Sequence, residues 1–183
     1  MKDILENQGL KKGAIDAIRS GALFIYPTDT VYGIGCDAEN NKSVREVRKA
    51  KATEHPFSVI APSESWISEN LKAGSHEYLE RLPGPYTLIF KKRKPGFLSA
   101  ASPGDSLGVR IPRHPFTKLV ASAAVPFVTT SANVSGQPTI KSVKGIPEQM
   151  LNQIDYVIDG GSLKGKASTV VDLTGVTPKI LRK

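Results

Sequence analysis

Hydrophobic positions near the start of the chain fall at helical spacing. Leu5, Leu10, Ala14, Ile15, Ala17 and Ile18 follow a period near 3.6, and Gly21 is a natural stop. The pattern predicts an amphipathic helix. A short apolar run, Ala22–Tyr26, follows and predicts a buried strand ending at Pro27. Ser43 and Glu46 stand at capping-box spacing, which predicts a helix from Val44 to Lys51. Phe57–Ala61 reads as a strand after Pro56, and helical segments are expected within Glu64–Leu82. Pro83–Pro85 reads as a turn and Tyr86–Lys91 as a strand. Further strands are expected at Leu107–Ile111, Phe127–Thr130, Tyr156–Ile158, Thr169–Leu173 and Lys179–Leu181, with a helix at Phe116–Ala123. Interspersed helices and strands predict an α/β or α+β fold around a mixed sheet. Lys91–Gly104, basic at its start, reads as a loop joining two strands.

Glycine-bearing polar segments stand at several strand ends: Pro27–Gly35, Pro83–Pro85, Ser131–Gly136 and Gly160–Ser168. Each alone is consistent with turn chemistry. Together they point to a binding cleft, because hydroxyls and backbone amides at strand ends cradle anionic or zwitterionic ligands.

The length, 183 residues, suits one domain. A single cysteine, Cys36, excludes an intramolecular disulfide and a Cys-rich zinc site, which fits a reducing cytosol. No apolar run approaches a membrane span, and the first residues do not read as a signal peptide; a soluble cytoplasmic protein without membrane contact is expected. The 25 Lys and Arg against 17 Asp and Glu give a net charge of +8, which favours anionic partners without choosing among them. P-loop and dinucleotide-fingerprint motifs are absent. His55, His76 and His114 are far apart in sequence, so no protein-bound metal is expected.

The blocks PTDTVYGIGCDA, KAKATEHPFSV, PGPYTLIF, GVRIPRHP, TTSANVSGQPT, IDGG with STVVDLTG, and the terminal ILR occur in the order seen in the YrdC/TsaC family, and the chain resembles that family from about Gly21 to Arg182. The resemblance implies a YrdC-like twisted mixed sheet flanked by helices around a basic concave cleft, in a short single-domain form covering 1–183. The implied activity is L-threonylcarbamoyladenylate synthesis from L-threonine, bicarbonate and ATP, with Mg2+ carried by ATP. The product would pass to a downstream complex that makes t6A at tRNA position 37, and direct RNA or tRNA contact is a further expectation.

By the same resemblance, Thr30, Tyr32, Arg110, Ser168 and the main chain at Thr129 form the threonine site. Lys49, Lys51, His55, Ser131, Asn133, Thr139 and Arg182 form the ATP site, and Lys49, Lys51 and Arg110 are the catalytic candidates. Burial of Ile180 and Leu181 is expected to anchor the segment carrying Arg182. The sequence departs from the family pattern at Lys51, usually Arg; at His55, commonly Asn; and at Ile60, a His in many longer members. Two other readings stand beside this one: a related carbamoyl-adenylate enzyme of the hydrogenase-maturation type, and a basic RNA-binding module, which lacks an RNP motif here.

Overall fold

The computed structural model describes residues 6–72 and 76–183. Leu5, and residues 73–75 of the helical expectation over Glu64–Leu82, lie outside the described residues. Helix α1 (Gln8–Arg19) begins where the Asn7 side chain accepts the Leu10 N–H, and Gly21, at φ 84°, turns the chain out of it. Strands β1 (Phe24–Tyr26) and β2 (Gly33–Gly35) follow, then α2 (Asn41–Lys51), β3 (Ser58–Ile60) and α3 (Glu64–Asn70). After β4 (Leu71–Lys72) and α4 (His76–Leu79) come β5 (Tyr86–Lys92), β6 (Ser106–Arg110), α5 (Phe116–Ala123) and β7 (Phe127–Ser131). The chain ends through α6 (Glu148–Leu151), β8 (Tyr156–Val157), β9 (Thr169–Asp172) and β10 (Lys179–Arg182).

Three expectations change. The residue that caps α2 is Asn40, not Ser43: its side chain accepts the Ser43 N–H, and the Ser43 hydroxyl donates to Gly21 O. Strand β2 was hidden in a glycine-bearing segment, and β4 lies where helix was expected. Gly33 and Gly35 look like turn residues in sequence, but they serve close packing. A Cβ on Gly35 would sit 1.7 Å from Val128 O.

The strands form one mixed sheet in the order β10-β9-β5-β6-β3-β7-β2-β1-β8, with β4 on the far end of β5. Register and side-chain alternation sort its residues onto two faces. One face carries Ile25, Ile34, Val59, Leu88, Phe90, Val109, Val128 and Val171, all buried in the main core under α2, α3 and α6. The other face has two halves. Phe24, Tyr26, Ile60 and Phe127 lie beneath α1 and α5 and pack with Ile18, Phe116, Leu119 and Val120. Among the described residues, none of those lining the rest of that face belongs to a helix.

Candidate active site

The uncovered half is a cleft of about 400 Å3. Its floor includes Ser58 from β3, Gly108 and Arg110 from β6, and Thr129 from β7. Its walls come from the turn after β1 (Thr28, Thr30), from Pro56 and Phe57, from Ser102 and Ser106, and from the segment ending at Ser168. Ser58, Gly108 and Thr129 are small, so the floor stays low around Arg110. At Gly108 a Cβ would lie 2.5 Å from Ser58 Oγ.

Arg110 is the only charged residue of the β6 floor, and it is buried. Its Nη2 donates to Asp29 Oδ1 at 2.8 Å and to Thr30 Oγ1 at 3.3 Å, while its Nε is buried without a partner. Burial pulls its pKa down from the ordinary value, and the Asp29 carboxylate opposes that shift. A guanidinium stays charged through such a shift, so a cation is fixed in the cleft floor.

Hydroxyls line the same space. Thr28 Oγ1 lies 2.9 Å from Thr30 Oγ1 and donates to Val31 O. The Tyr26 hydroxyl reaches from the aromatic half to Thr129 Oγ1 at 2.7 Å; burial pushes its phenol well above the ordinary range, so it stays protonated. The Tyr32 hydroxyl donates to Gly161 O at 2.8 Å and accepts the Gly160 N–H, which ties the 160–168 segment to the cleft. Gly165 lets that segment lie on Thr30, since a Cβ there would be 2.3 Å from Thr30 O. Ser168 Oγ is 2.8 Å from Thr87 Oγ1, and Arg182 holds Ser168 through Nε to the carbonyl and Nη2 to the hydroxyl. Arg182 is thus a second guanidinium in the cleft. The two charges oppose each other, and an anion between them would relieve that repulsion.

Three further cations shape the walls by clasping main-chain carbonyls. Lys51 Nζ donates to Ser131 O and Asn133 O. Lys92 donates to Ser102 O and Gly104 O, and Arg48 holds Ala100 O, Ala101 O and His55 O. Burial lowers the Lys51 pKa from 10.5 to about 8. Each clasp uses up carbonyl lone pairs inside the wall, and the loop is held in one shape.

The structure brings Thr30, Tyr32, Arg110, Thr129, Ser131, Thr139, Ser168 and Arg182 to this one cleft. It does not bring Lys49 there: the ammonium is exposed and pairs with Glu46 at 2.9 Å. His55 is exposed and is not among the cleft-lining residues. Lys51 and Asn133 sit behind Ser131, and Lys51 acts on the loop, not on the cleft space. Asn133 Nδ2 donates to Val134 O and Gln137 O, which leaves its buried Oδ1 without a partner. Ile60 is buried in the aromatic half, so that departure does not alter the cleft lining. Ile180 and Leu181 are about half exposed, against expectation; β10 is held instead by its antiparallel ladder to β9 and by the Arg182–Ser168 contacts. Sequence reasoning missed Asp29, Ser58, Thr87, Ser102 and Ser106. Their signal was weak, because Ser, Thr and Asp near Pro and Gly read equally well as turn chemistry.

An open α/β sheet with a hydroxyl-rich cleft and two guanidiniums defines a small-molecule site for anionic ligands. Residues 16–183 match the Sua5/YciO/YrdC family model, whose description is telomere recombination, and the chain belongs to this family. It is 33% identical over 175 residues to the threonylcarbamoyl-AMP synthase of Pyrococcus abyssi, covering 90% of this chain and 51% of that one. It therefore spans about half the length of that relative. The threonylcarbamoyl-AMP synthase of Coxiella burnetii is 29% identical over 154 residues, covering 80% of this chain and 83% of its own. Among solved structures, P. abyssi Sua5 complexed with L-threonine superposes with a TM-score of 0.84 at 30% identity, over 96% of this chain and 54% of that one. Escherichia coli YciO gives 0.83 at 28% identity, over 97% and 90%.

Among the described residues no helix is long and apolar enough to cross a membrane, and no group of three or more His, Cys, Asp or Glu side chains could hold a metal ion.

Proposed function

We propose that the cleft is the active site of an L-threonylcarbamoyladenylate synthase, a nucleotidyltransferase, in a single YrdC-like domain over residues 1–183. The observation that carries the reading is Arg110, a buried guanidinium fixed in a floor of hydroxyls, with Arg182 facing the same space. The relatives named for this activity support it.

In this reading the α-carboxylate of L-threonine pairs with Arg110, whose planar fork suits a carboxylate. Thr30, Tyr32, the Thr129 main chain and Ser168 shape the pocket around it. Bicarbonate carbamylates the threonine amine with loss of water. A carbamate oxygen then attacks the α-phosphorus of ATP, the new O–P bond forms, and the bond to the β-phosphate breaks to release pyrophosphate. Arg182, Ser131 and Thr139 stand where they can hold the nucleotide, and Lys51 keeps the Ser131–Asn133 loop in place for it. Mg2+ would enter on the triphosphate as part of that substrate. Positioning and fixed charge suffice for such a transfer, with no covalent enzyme intermediate. The adenylate would go to a t6A-forming complex acting on tRNA in the cytoplasm.

The test is pyrophosphate release by the purified protein with ATP, Mg2+, L-threonine and bicarbonate. Release that needs both threonine and bicarbonate, with an AMP adduct formed, is expected. ADP and phosphate as the only nucleotide products would overturn the reading.

A further inference from the structure

The carboxylate that pairs with Arg110 is not itself in the cleft lining. Asp29, in the turn after β1, uses both carboxylate oxygens. Oδ1 accepts from Arg110 Nη2 at 2.8 Å, and Oδ2 accepts the Arg113 N–H at 2.9 Å. Arg113 is tied in turn through Nη2 to Pro83 O. The carboxylate therefore bridges the end of β6 to the segment that follows it. Its side chain is nearly as buried as the one it pairs with, at 12% and 9% exposure, so solvent screens the pair weakly.

Two consequences follow for the guanidinium. Nη2 is filled by Asp29 and Thr30 Oγ1, and rotating the group would break both bonds. The plane of the fork is thus set before a ligand arrives, and its other N–H groups remain for an incoming anion. Asp29 also lowers the cost of keeping the Arg110 cation buried.

We propose that Asp29 is the positioning residue for Arg110: it sets the guanidinium plane in which a substrate carboxylate is received. The identity of that carboxylate, L-threonine, rests on the function proposed above; the orienting role does not.

The experiment compares the parent protein with Asp29→Ala and Asp29→Asn, using two readouts. The first is the Arg110 side-chain Nε–Hε signal in a 15N-resolved spectrum without ligand. One narrow, slowly exchanging signal is expected in the parent, a broadened or shifted one in Asp29→Ala, and a near-parent one in Asp29→Asn, which keeps an acceptor in place. The second is steady-state pyrophosphate release. Asp29→Ala should raise the threonine KM about tenfold or more, leaving the ATP KM unchanged and kcat within about threefold, and Asp29→Asn should recover most of that loss. An unchanged Nε–Hε signal in Asp29→Ala overturns the proposal, as does an equal rise in both KM values. If Asp29→Ala does not fold, Asp29→Ser, whose hydroxyl is too short to keep the 2.8 Å contact with Arg110 Nη2, takes its place with the same expected and overturning results. If the parent ignores threonine, the functional reading fails while the spectrum still decides the role of Asp29.

Discussion

Phe127 and Thr129 stand two residues apart on β7 and point the same way, yet they belong to different worlds. Phe127 lies in a dry half of the sheet face, edge-on to Phe24 and Phe116 at 6.1 and 5.5 Å. Thr129 lies in the open half, where its hydroxyl takes a bond from Tyr26 and lines the cleft. Ile60 and Ser58 repeat the division on β3. The covered half has large apolar side chains because α1 and α5 must bury a stripe against it. The open half is lined mostly by Gly, Ser and Thr, with Ile89, Val170, Arg110 and Arg182 among them, because more large side chains would fill the space a ligand needs. One strand can therefore stabilise the fold at one end and bind at the other. The price is an unfilled cavity, offset by cation clasps that stiffen its walls.

The largest effect should come from breaking the covered half. Phe127→Ala removes a fully buried ring that packs against Phe24, Tyr26 and Phe116 and should cost about 3–5 kcal/mol in urea unfolding. Ligand binding by the folded fraction should change little. If binding falls while stability holds, the two halves are not separable.

Arg110→Ala is the complementary cut in the open half. It should weaken threonine binding by about 2–5 kcal/mol while ATP binding changes far less, both read by calorimetric titration. Equal loss of both, or a lost fold by circular dichroism, would make Arg110 structural.

Arg182→Ala should weaken ATP binding by about 1.5–3 kcal/mol, because it removes one charge-assisted donor from the rim. The melting temperature should fall only slightly, since the antiparallel ladder to β9 still holds β10 when the Arg182–Ser168 contacts are lost. A parent-like ATP affinity would assign Arg182 only to the Ser168 tether.

Lys49 and Lys51 of α2 separate more finely. Lys51 has its folded pKa brought down to about 8 by burial, below its ordinary 10.5, so the unfolded chain binds more protons between those values. Stability should therefore rise as pH climbs from 8 toward 10, and Lys51→Met should flatten that rise. An identical pH slope in both proteins would contradict the buried site. Lys49→Ala should change stability by no more than about 0.5 kcal/mol and leave ATP binding unaltered, because the residue is exposed and faces Glu46.

Much of this division was legible in the chain. Apolar runs located β1, β3, β5, β6 and β7, and Arg110 stood out because a charge inside an apolar strand needs a reason. Other features were hidden for physical causes. Strand β2 contains Gly33 and Gly35, whose role appears only when the Tyr26 ring and Val128 O are placed against them. The start of α2 was displaced because Ser43 has the residue type of a cap while its hydroxyl is committed to Gly21 O. Lys49 and Lys51 look equivalent in sequence; two residues of helix turn one toward solvent and the other into the wall. Asp29 read as turn chemistry because its partners, Arg110 and Arg113, lie more than eighty residues away.

A crystal structure with L-threonine bound would show whether the uncovered half of the sheet face receives the substrate carboxylate on Arg110. The carboxylate is expected in the cleft between Thr30 and Ser168, with an oxygen about 2.7–3.2 Å from a guanidinium nitrogen of Arg110. Threonine bound elsewhere, or in the cleft with its carboxylate turned away from Arg110, would contradict it.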